Sequence, residues 1–577
     1  MIRPRTLAST LIPLALLATP AAALPEADQR LLVTFGDRPA LNEARERLDG
    51  LGVVSATLPE AGIWSLAPKS PATARIAAAK RPKVRRAEWS LRRQSAELKR
   101  VPAYTLPRSY SSLRDPFYTT SQQWGLISRA PWGAQIVARG ERPRIAVLDS
   151  GVDGTHEEWV TPPNRKTKKG KAKSVSSPLV AGRATIGGGS RRWRDRSSVG
   201  HGTHVAGIAA APANGIGIVG VAPASGGRAE VIPVRISGRA GRSTDEAMIR
   251  GIRWAVNNDA KVINISAGGP GFLAAFQDTV YWATERGAVI VASVGNEGSA
   301  GRGIVNYPAG YRRVIGVGAI CDGNPRTPDC EDDSSGVAGF SNANRTVDLV
   351  APGVNILSTV PKNVNLRRVA PGYALKDGTS MAAPFVAGAA ALVFANHPKL
   401  TPHQVRRQLT NTATDIGRSN RDSESGYGIV NPQAAAAEAA PVDDPYEVND
   451  TLSRAARIKV NPGRRASLNA SIDAFDDPTD LYAVRLKRGD ILRAELRHTR
   501  GWVQLRLWQP GVRRITRSRG AKNLLATAGS GRPAPKSTIS LVRRAPKTGI
   551  YYVDVSARRG VDAYELTISR GAQENLF

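Results

Sequence analysis

The segment IAVLDSGVDGTH (residues 145–156) opens the part of the chain whose pattern decides the fold. It begins as an apolar, β-branched run and ends in an acid followed by a glycine-containing turn, which is typical of a buried strand at 144–149. The pattern continues with predicted strands at 229–236, 261–266 and 288–293, and with predicted helices starting near 201 and covering 243–257 and 271–286. Apolar strands alternating with helices predict an α/β fold, a doubly wound parallel sheet covered on both faces.

The sequence on either side has a different texture. Upstream, a small α/β unit is predicted, with strands at 31–35, 53–58 and 62–66 and helices at 39–48 and 72–80. Downstream of Pro441, the segments 551–555 and 564–568 alternate apolar and polar residues, which indicates an antiparallel β-sandwich or jelly roll. Polar sequence from about 92 to 120, and Ala-rich then acidic sequence from 434 to 444, predict two linkers.

Length and composition restrict the class of protein. At roughly 150 residues per domain, a chain of 577 residues predicts several folded units. Hydrophobic residues make up 41% and charged residues 22% of the chain, which argues against disorder, a fibre or a polytopic membrane protein. A net charge of +33 would suit an acidic partner if the charge formed one basic face.

The basic residues instead form two blocks, at 80–114 and 165–196. Neither block carries interleaved aromatic residues, a recognition-helix pattern or a zinc-finger spacing, so no specific nucleic-acid partner is predicted. Solvated loops are the simpler interpretation. Retention on acidic cell-wall polymers remains an alternative that is compatible with another activity.

Residues 1–23 combine a basic start, an apolar stretch from Leu7 to Leu17 and a small-residue end, Ala21-Ala22-Ala23. This predicts a secretory signal peptide, and therefore a protein that is extracellular or held in the cell envelope, with no membrane anchor after signal removal. The most apolar later run, 381–395, is shorter than a bilayer span and suits a buried helix. Secretion would permit a disulfide between Cys321 and Cys330, although their spacing does not decide it.

Three segments lie where the sheet should present its strand ends: IAVLDSGVDGTH (145–156), HGTHVAGIAAA (201–211) and DGTSMAAPFVAGAAAL (377–392). They supply an acid after a strand, a histidine opening a helix and a serine opening another helix. A serine is a weak nucleophile at neutral pH, so it needs an imidazole to take its proton. The imidazole in turn needs a carboxylate to fix its tautomer. Asp149, His201 and Ser380 are the candidate residues.

The same motifs make the chain resemble the secreted subtilisin-like serine peptidases, whose triad follows the order Asp, His, Ser. The segment VASVGNEG (291–298) resembles the family's oxyanion-hole motif, which would give that role to Asn296. NISAGGP (264–270) matches the segment that lines the family's substrate cleft and pairs with the peptide as an added strand. The resemblance covers roughly residues 122–437 and implies a serine endopeptidase that acts on proteins or peptides and needs no cofactor for its chemistry.

Each catalytic candidate has an alternative interpretation. Asp153 competes with Asp149, although the family pattern assigns catalysis to the first acid. His201 and His204, three residues apart on a helix, could suggest zinc, but the HExxH pattern and a third ligand are missing. Ser380 could merely cap its helix. The whole fold could also serve a secreted binding or adhesion protein, but such degenerate relatives lose a catalytic position, and here all four are present.

The resemblance also implies the substrate pocket. Its two sides would be Ala267-Gly268-Gly269, next to Ser266, and the segment that ends in Gly295, with Asn306 near the floor. A glycine-lined slot predicts apolar side chains on the acyl side of the cleaved bond, and Glu297 at the rim could tolerate a basic group. We therefore expect broad specificity.

Relatives often bind calcium through an acid nine residues after the catalytic Asp and an Asn after the His helix. Here these residues are Glu158 and Asn214, with Gln122 or Gln123 nearby, and they offer the oxygen ligands that calcium prefers. A polar surface loop is the alternative interpretation of this segment.

The flanking units also carry resemblances. Residues 31–88 resemble the inhibitory propeptide of the family, which would make the chain a zymogen with its own propeptide as intramolecular inhibitor. The tail resembles a bacterial pre-peptidase C-terminal domain, in which Glu447, Asn449 and Asp450 form either a calcium site or only a turn. The predicted organisation is therefore a signal peptide at 1–23, a propeptide at 24–100, a linker at 101–121, a peptidase domain at 122–440 and a β-sandwich at 441–577.

Overall fold

The fold is seen in a computed structural model of the chain. It describes residues 27–95, 115–119, 123–127, 142–160, 178–186, 193–224, 229–298, 303–323, 327, 330, 336–364, 368–418, 421–439, 441, 444–447, 449–473, 478–498, 502–515, 521–529, 537–559 and 561–571. The predicted signal peptide, most of the predicted linker at 101–121 and much of the second basic block lie outside these residues.

The N-terminal unit is an antiparallel sheet with two helices on one face. Its elements are β1 (Ala27–Phe35), α1 (Leu41–Arg47), β2 (Gly52–Leu58), β3 (Ile63–Pro68), α2 (Pro71–Ala79) and β4 (Val84–Ser95). Alternation along β1 explains its two-sided packing, because Leu31 and Val33 contact the core under the helices while Leu32 joins the core of the next unit. The sheet is therefore packed against α1 and α2 on one face and against the central unit on the other.

The central unit carries a seven-stranded sheet in the order β14-β13-β11-β9-β5-β7-β6, and all six of its strand pairings are parallel. Its elements are α3 (Pro116–Thr119), α4 (Trp124–Ile127), β5 (Arg144–Asp149), β6 (Arg183–Ala184), α5 (His201–Ala210), α6 (Val221–Ala224), β7 (Glu230–Arg235), β8 (Arg242–Thr244), α7 (Asp245–Val256), β9 (Ala260–Ile265), β10 (Ala267–Pro270), α8 (Ala274–Thr284), β11 (Val289–Ser293), β12 (Asn306–Tyr307), β13 (Val314–Ile320), β14 (Leu349–Pro352), β15 (Ile356–Thr359), β16 (Arg368–Ala370), β17 (Tyr373–Lys376), α9 (Thr379–Asn396), α10 (Pro402–Asn411) and α11 (Pro432–Ala437). This confirms the predicted parallel α/β sheet.

Helix α9 runs through the core of this unit. By length and composition it is apolar enough to cross a membrane, but 94% of its apolar window is buried within the protein, as in the core helix of a globular fold. Alanine and glycine dominate its sequence because neighbouring elements approach closely: a Cβ on Gly388 would lie 2.6 Å from the Cβ of Val221. This close packing holds the first residues of the helix in a fixed position beside the sheet.

Among the described residues of the C-terminal unit, every helix or strand is a strand: β18 (Ala456–Ile458), β19 (Arg464–Asp473), β20 (Thr479–Leu486), β21 (Ile491–His498), β22 (Trp502–Trp508), β23 (Leu524–Ala528), β24 (Ser537–Arg544), β25 (Gly549–Arg559) and β26 (Val561–Gly571). They form two sheets, β18-β20-β25-β22-β23 and β19-β26-β21-β24, around a core of its own. Ion pairs between Arg313 and Glu447 and between Arg454 and Glu285 attach this unit to the central one. The all-β prediction for the tail is confirmed.

Two details differ from the sequence predictions, and the disulfide that secretion would permit is present. Residues 92–95 belong to strand β4 and are not linker, because both edges of this strand find partners in the central unit although its sequence lacks apolar alternation. The Ala-rich start of the predicted linker at 434–444 is the end of helix α11. Cys321 and Cys330 form a disulfide with their Cα atoms 5.8 Å apart. The domain boundaries stay predictions.

Candidate active site

The acid and the histidine of the predicted relay are in contact. Asp149 is the last residue of β5 and His201 is the first residue of α5, and both side chains are buried. The Nδ1 atom of His201 lies 2.8 and 2.9 Å from the two carboxylate oxygens of Asp149. A carboxylate in this position holds the imidazole in the tautomer that carries its proton on Nδ1, which leaves Nε2 to act as a base.

A close approach of helix to strand makes this contact possible. A Cβ atom on Gly202 would lie 2.2 Å from the carbonyl oxygen of Gly151, so only glycine fits at this position. Asp195, which the sequence analysis did not single out, ties the two elements together: it accepts hydrogen bonds from Ser150 Oγ (2.9 Å) and from Thr203 Oγ1 (2.6 Å). Burial raises the pKa of Asp195, and the hydrogen bonds that it accepts from Thr203 and Ser197 work against that rise. Asp195 lies in no recognisable sequence motif, so its role was not predictable from the sequence.

Ser380 is the second residue of α9 and is fully buried. Its hydroxyl donates to the carbonyl oxygen of Ser266 (3.0 Å), and the hydroxyl of Ser266 donates back to the carbonyl oxygen of Ser380 (2.9 Å). Asn264 supports the pair through a hydrogen bond from its amide nitrogen to Ser266 Oγ (3.0 Å). The structure thus joins the candidate nucleophile to the segment that was predicted to line the cleft.

Asn296 is oriented by the first residue of α9. Its side-chain oxygen accepts hydrogen bonds from the backbone nitrogen (2.9 Å) and the hydroxyl (2.8 Å) of Thr379. That hydroxyl also accepts from the backbone nitrogen of Gly295 at 3.2 Å, and Gly295 has a φ of 108°, which favours glycine. Because the oxygen is held, the direction of the amide nitrogen is fixed. An aligned donor of this kind is what an oxyanion hole requires.

The remaining predicted pocket residues form one connected rim. Ala267, Gly268 and Gly269 lie in β10, which pairs with β12 through Gly269 opposite Tyr307 and Pro270 opposite Asn306. Across the pocket, a Cβ on Gly295 would come within 2.1 Å of Asn306 Nδ2. That nitrogen donates to Glu297 (2.9 Å), whose carboxylate is also bonded to Asn342. Glu297 therefore already has neutral partners at the rim where we expected it to meet basic groups.

The cleft is filled by a strand of the N-terminal unit. Strand β4 pairs with β10, with Ser95 opposite Ala267 and Gln94 opposite Gly268. Its other edge pairs with β8, where Arg93 faces Ser243. All three strands run antiparallel to their neighbours, so β4 lies between two edges of the central unit as an added middle strand.

The predicted calcium residues are brought together with a second acid. Glu158 is buried and accepts hydrogen bonds from the backbone nitrogen of Ile218 (2.8 Å) and the hydroxyl of Tyr373 (3.1 Å). The amide nitrogen of Asn214 is 3.4 Å from its other oxygen. Asp115, also buried, accepts from the backbone nitrogens of residues 214 and 215. Burial raises the pKa of Glu158 to about 8, and the nearby charge of Asp115 adds to the rise.

This donor set suits a hard divalent cation. Two carboxylates are close together in a buried place, and the hydrogen-bond donors that reach Glu158 are neutral. The Asn214 amide would have to turn to present its oxygen, since its oxygen now accepts from the backbone nitrogen of Ile216 (2.8 Å). Gln123 instead bonds both ways with the backbone of Val219, and Gln122 lies outside the described residues.

The alternative residues have structural roles. The carboxylate of Asp153 accepts from the backbone and hydroxyl of Thr155 and so closes a turn. His204 is buried, and its Nε2 lies 3.0 and 3.1 Å from the carbonyl oxygens of Ile356 and Ala374. Burial lowers the pKa of His204 well below its usual value, so it is a neutral packing residue.

An acid cluster also occurs in the C-terminal unit. Asp444, Glu447 and Asp480 bring their oxygens within 4.8 Å of one another. However, Arg313 pairs with Glu447 and the hydroxyl of Tyr564 donates to Asp480. Arg313 balances the charge of Glu447, and the Tyr564 hydroxyl satisfies an oxygen of Asp480, so side chains of the protein itself are partners of the cluster.

Comparisons with known proteins identify the family of the central unit. The model of the subtilase family matches residues 140–428. Subtilisin from Bacillus pumilus is 39% identical over 298 residues, which cover 52% of this chain and 92% of the relative. Subtilisin Savinase from Lederbergia lenta is 37% identical over 317 residues, which cover 55% of this chain and 98% of the relative.

Among solved structures, fervidolysin from Fervidobacterium pennivorans, described as a keratinolytic enzyme related to subtilisin, has a TM-score of 0.57. The match covers 94% of this chain and 96% of fervidolysin at 22% identity, and it therefore concerns the fold alone. Fold and site define a serine endopeptidase. The chain belongs to the subtilase family.

Proposed function

We propose that the chain is a secreted serine endopeptidase, made as a zymogen, in which Asp149, His201 and Ser380 form the catalytic triad. The observation that carries this proposal is the buried contact between Asp149 and His201, with Ser380 and Asn296 both anchored at the start of α9. The triad roles follow those known for the family.

In the proposed mechanism, the hydroxyl of Ser380 turns from the carbonyl of Ser266 towards His201 and attacks the carbonyl carbon of the scissile peptide. His201 Nε2 takes the hydroxyl proton and then gives it to the leaving amine, and Asp149 stabilises the imidazolium that forms between these steps. The negative oxygen of the tetrahedral intermediate accepts hydrogen bonds from Asn296 and from the backbone nitrogen of Ser380. Water then releases the acyl group by the same proton transfers.

The N-terminal unit acts in this proposal as an inhibitor that remains in place until it is cleaved. Support comes from the position of β4 in the cleft and from two further side-chain contacts between the N-terminal and central units. The carboxylate of Glu88 accepts hydrogen bonds from the backbone nitrogens of Ala274 (3.1 Å) and Ala275 (3.0 Å) at the start of α8. Arg253 pairs with Glu60 at 2.7 Å. An inhibitor held at three places would leave only after its connection is cut.

The remaining features complete the proposal. The glycine-lined slot formed by Gly268, Gly295 and Asn306 favours a broad range of apolar side chains at the residue whose carbonyl is attacked. Glu158 and Asn214, with Asp115, would hold a calcium ion that stabilises the fold and takes no part in the chemistry. The C-terminal β-sandwich would attach the enzyme to surfaces or insoluble protein.

The test is active-site labelling of the secreted product. A sulfonyl fluoride or organophosphonate should modify Ser380, identified by peptide mass mapping, and should abolish casein hydrolysis. A zinc chelator should not inhibit directly. N-terminal sequencing and the intact mass of the product would locate the processing site. Labelling elsewhere, or casein hydrolysis that survives complete labelling, would refute the proposal.

A further inference from the structure

Arg93 is a buried cation in strand β4, whereas the basic residue next to it, Arg92, is exposed. Its side chain has no exposed surface, and neither has that of Asp245, its partner at the start of α7. The Nε atom of Arg93 is 2.7 Å from one carboxylate oxygen of Asp245, and Nη2 is 3.2 Å from the other. This two-point contact matches the planar shape of a guanidinium.

Three carbonyl groups complete the pocket. Nη1 donates to the oxygens of Gly269 (2.6 Å) and Pro270 (2.8 Å), and Nη2 donates to that of Gly271 (2.9 Å). All three guanidinium nitrogens are therefore engaged. The carboxylate of Asp245 forms one wall of the pocket, and the three backbone carbonyls form the other. A lysine has a single charged nitrogen and cannot reach both walls in this way.

Both walls belong to the central unit. Asp245 comes from α7, and the carbonyls come from the end of β10 and the residue after it. Strands β10 and β8, which bracket β4, also belong there. The pocket therefore stays with the peptidase when the N-terminal unit leaves, and any peptide that enters the cleft as a middle strand must place a side chain over Asp245.

The pairing register gives the position of that side chain in a substrate. Ser95 faces Ala267, so the next residue of a peptide in this register faces Ser266, whose carbonyl receives the hydroxyl of Ser380. A residue there is the one whose carbonyl the nucleophile attacks. Counting back from it, the side chain over Asp245 belongs to the fourth residue on the acyl side of the cleaved bond.

We propose that this pocket makes the enzyme selective for arginine at the fourth residue on the acyl side, with Asp245 as the residue that determines this specificity. The physical reason is that arginine and a neutral side chain differ in how well they satisfy the pocket. A guanidinium satisfies a carboxylate and three carbonyls at once, whereas a neutral side chain leaves the carboxylate unpaired beneath the bound peptide. The inference rests on the proposed peptidase activity and adds a substrate class to it: proteins with an exposed arginine three residues before the cleaved residue.

The experiment compares acetylated Arg-Gln-Ser-Ala-p-nitroanilide, copied from residues 93–96, with the same peptide carrying citrulline or lysine in place of the arginine. Citrulline keeps the length and shape of arginine without the charge. For the self-processed full-length product, kcat/KM should be about 10- to 100-fold higher for the arginine peptide than for the citrulline peptide, with lysine between them.

Asp245→Asn should reduce the ratio of kcat/KM for the arginine peptide to kcat/KM for the citrulline peptide to a value between about 1 and 3, both measured on the same enzyme preparation. Asp278→Asn is the matched control, because Asp278 also pairs with an arginine of the N-terminal unit, Arg86, but lies outside the pocket. It should leave the ratio unchanged. If Asp245→Asn fails to fold, the three-peptide series on the unaltered enzyme decides the question alone.

Equal kcat/KM for the arginine and citrulline peptides in an active enzyme would overturn the inference and leave the peptidase assignment intact; the pocket would then serve only to anchor the N-terminal unit. A preference that persists in Asp245→Asn would overturn the role of Asp245. Failure to cleave any of the peptides or to label Ser380 would overturn the proposed function, and the inference with it.

Discussion

Two buried acids of this protein each hold one basic side chain, and the two pairs differ in the origin of the base. Asp149 holds His201, a residue of the same central unit, at 2.8 Å. Asp245 holds Arg93, a residue of the N-terminal unit, at 2.7 Å. The first pair belongs to the proposed catalytic triad, and the second lies beside strand β4 where that strand pairs with β8 and β10.

In the proposed maturation, the pair of Asp149 and His201 is permanent, whereas the pair of Asp245 and Arg93 is exchangeable. Nothing in the proposed maturation disturbs Asp149 and His201, so that carboxylate can fix one tautomer for every turnover. Departure of β4 removes Arg93 and leaves Asp245 facing the cleft. Burial raises the pKa of Asp245, and the guanidinium works against that rise, so this acid is best satisfied by another guanidinium. In the proposed mechanism and specificity, the same residue type thus serves as an orienting group in one place and as a binding group in the other.

The largest effect should come from Ser380→Ala, which removes the nucleophile and leaves both pairs in place. Self-processing and casein hydrolysis should fall to the background of the assay, because the hydroxyl that forms the acyl intermediate is gone. The zymogen should accumulate at full length with an unchanged melting temperature, measured by gel and by thermal unfolding. If this variant processed itself as the unaltered chain does, Ser380 would not be the nucleophile that Asp149 and His201 activate.

The next effect should come from Asn296→Ala, which weakens the chemistry without touching either pair. Turnover of the arginine peptide should fall by about 10²–10³-fold, which is the range known for loss of one oxyanion donor in this family. The KM and the preference for arginine over citrulline should stay the same, since the donor acts on the transition state. Unimpaired kcat would remove Asn296 from the mechanism.

A smaller effect should come from breaking the exchangeable pair in a chain that cannot process itself. In the Ser380→Ala background, Arg93→Ala should weaken the hold of β4 by about 2 kcal/mol and speed amide hydrogen exchange across residues 84–95 roughly 30-fold. Arg85→Ala, at an exposed position of the same strand, is the matched control and should change the exchange little. Equal exchange in both variants would show that Asp245 does not hold the strand.

The smallest effect on catalysis should come from calcium removal, because the Glu158 cluster is separate from both pairs. Chelation should leave kcat/KM at low temperature within about twofold. It should lower the melting temperature by about 5–10 °C when calcium was present at roughly 100 times its dissociation constant, since a ligand of the native state stabilises it by mass action. Glu158→Gln should no longer respond to the chelator. Equal melting temperatures for the unaltered enzyme with and without chelator would remove the site.

Sequence patterns were sufficient where chemistry and local structure coincide. The strand that ends in Asp149, the helix that begins at His201 and the helix that carries Ser380 in its first turn were predictable, because apolar β-branched runs, helix starts and glycine turns are local signals. The parallel central sheet and the all-β tail followed from periodicity for the same reason. The contact of Asp149 with His201 was implied by the family pattern and is present in the structure.

The sequence by itself therefore determined the order of the elements, the family and the residues at the strand ends. Only the tertiary structure decided what Arg93 and Asp245 do, since they are 152 positions apart and neither lies in a recognisable motif. In the sequence, Arg93 is one basic residue in a polar stretch and Asp245 is an acid at a helix start. The value of a buried charge depends on what surrounds it in three dimensions. Residues 92–95 of β4 acquire their strand partners only when the N-terminal unit folds against the central one.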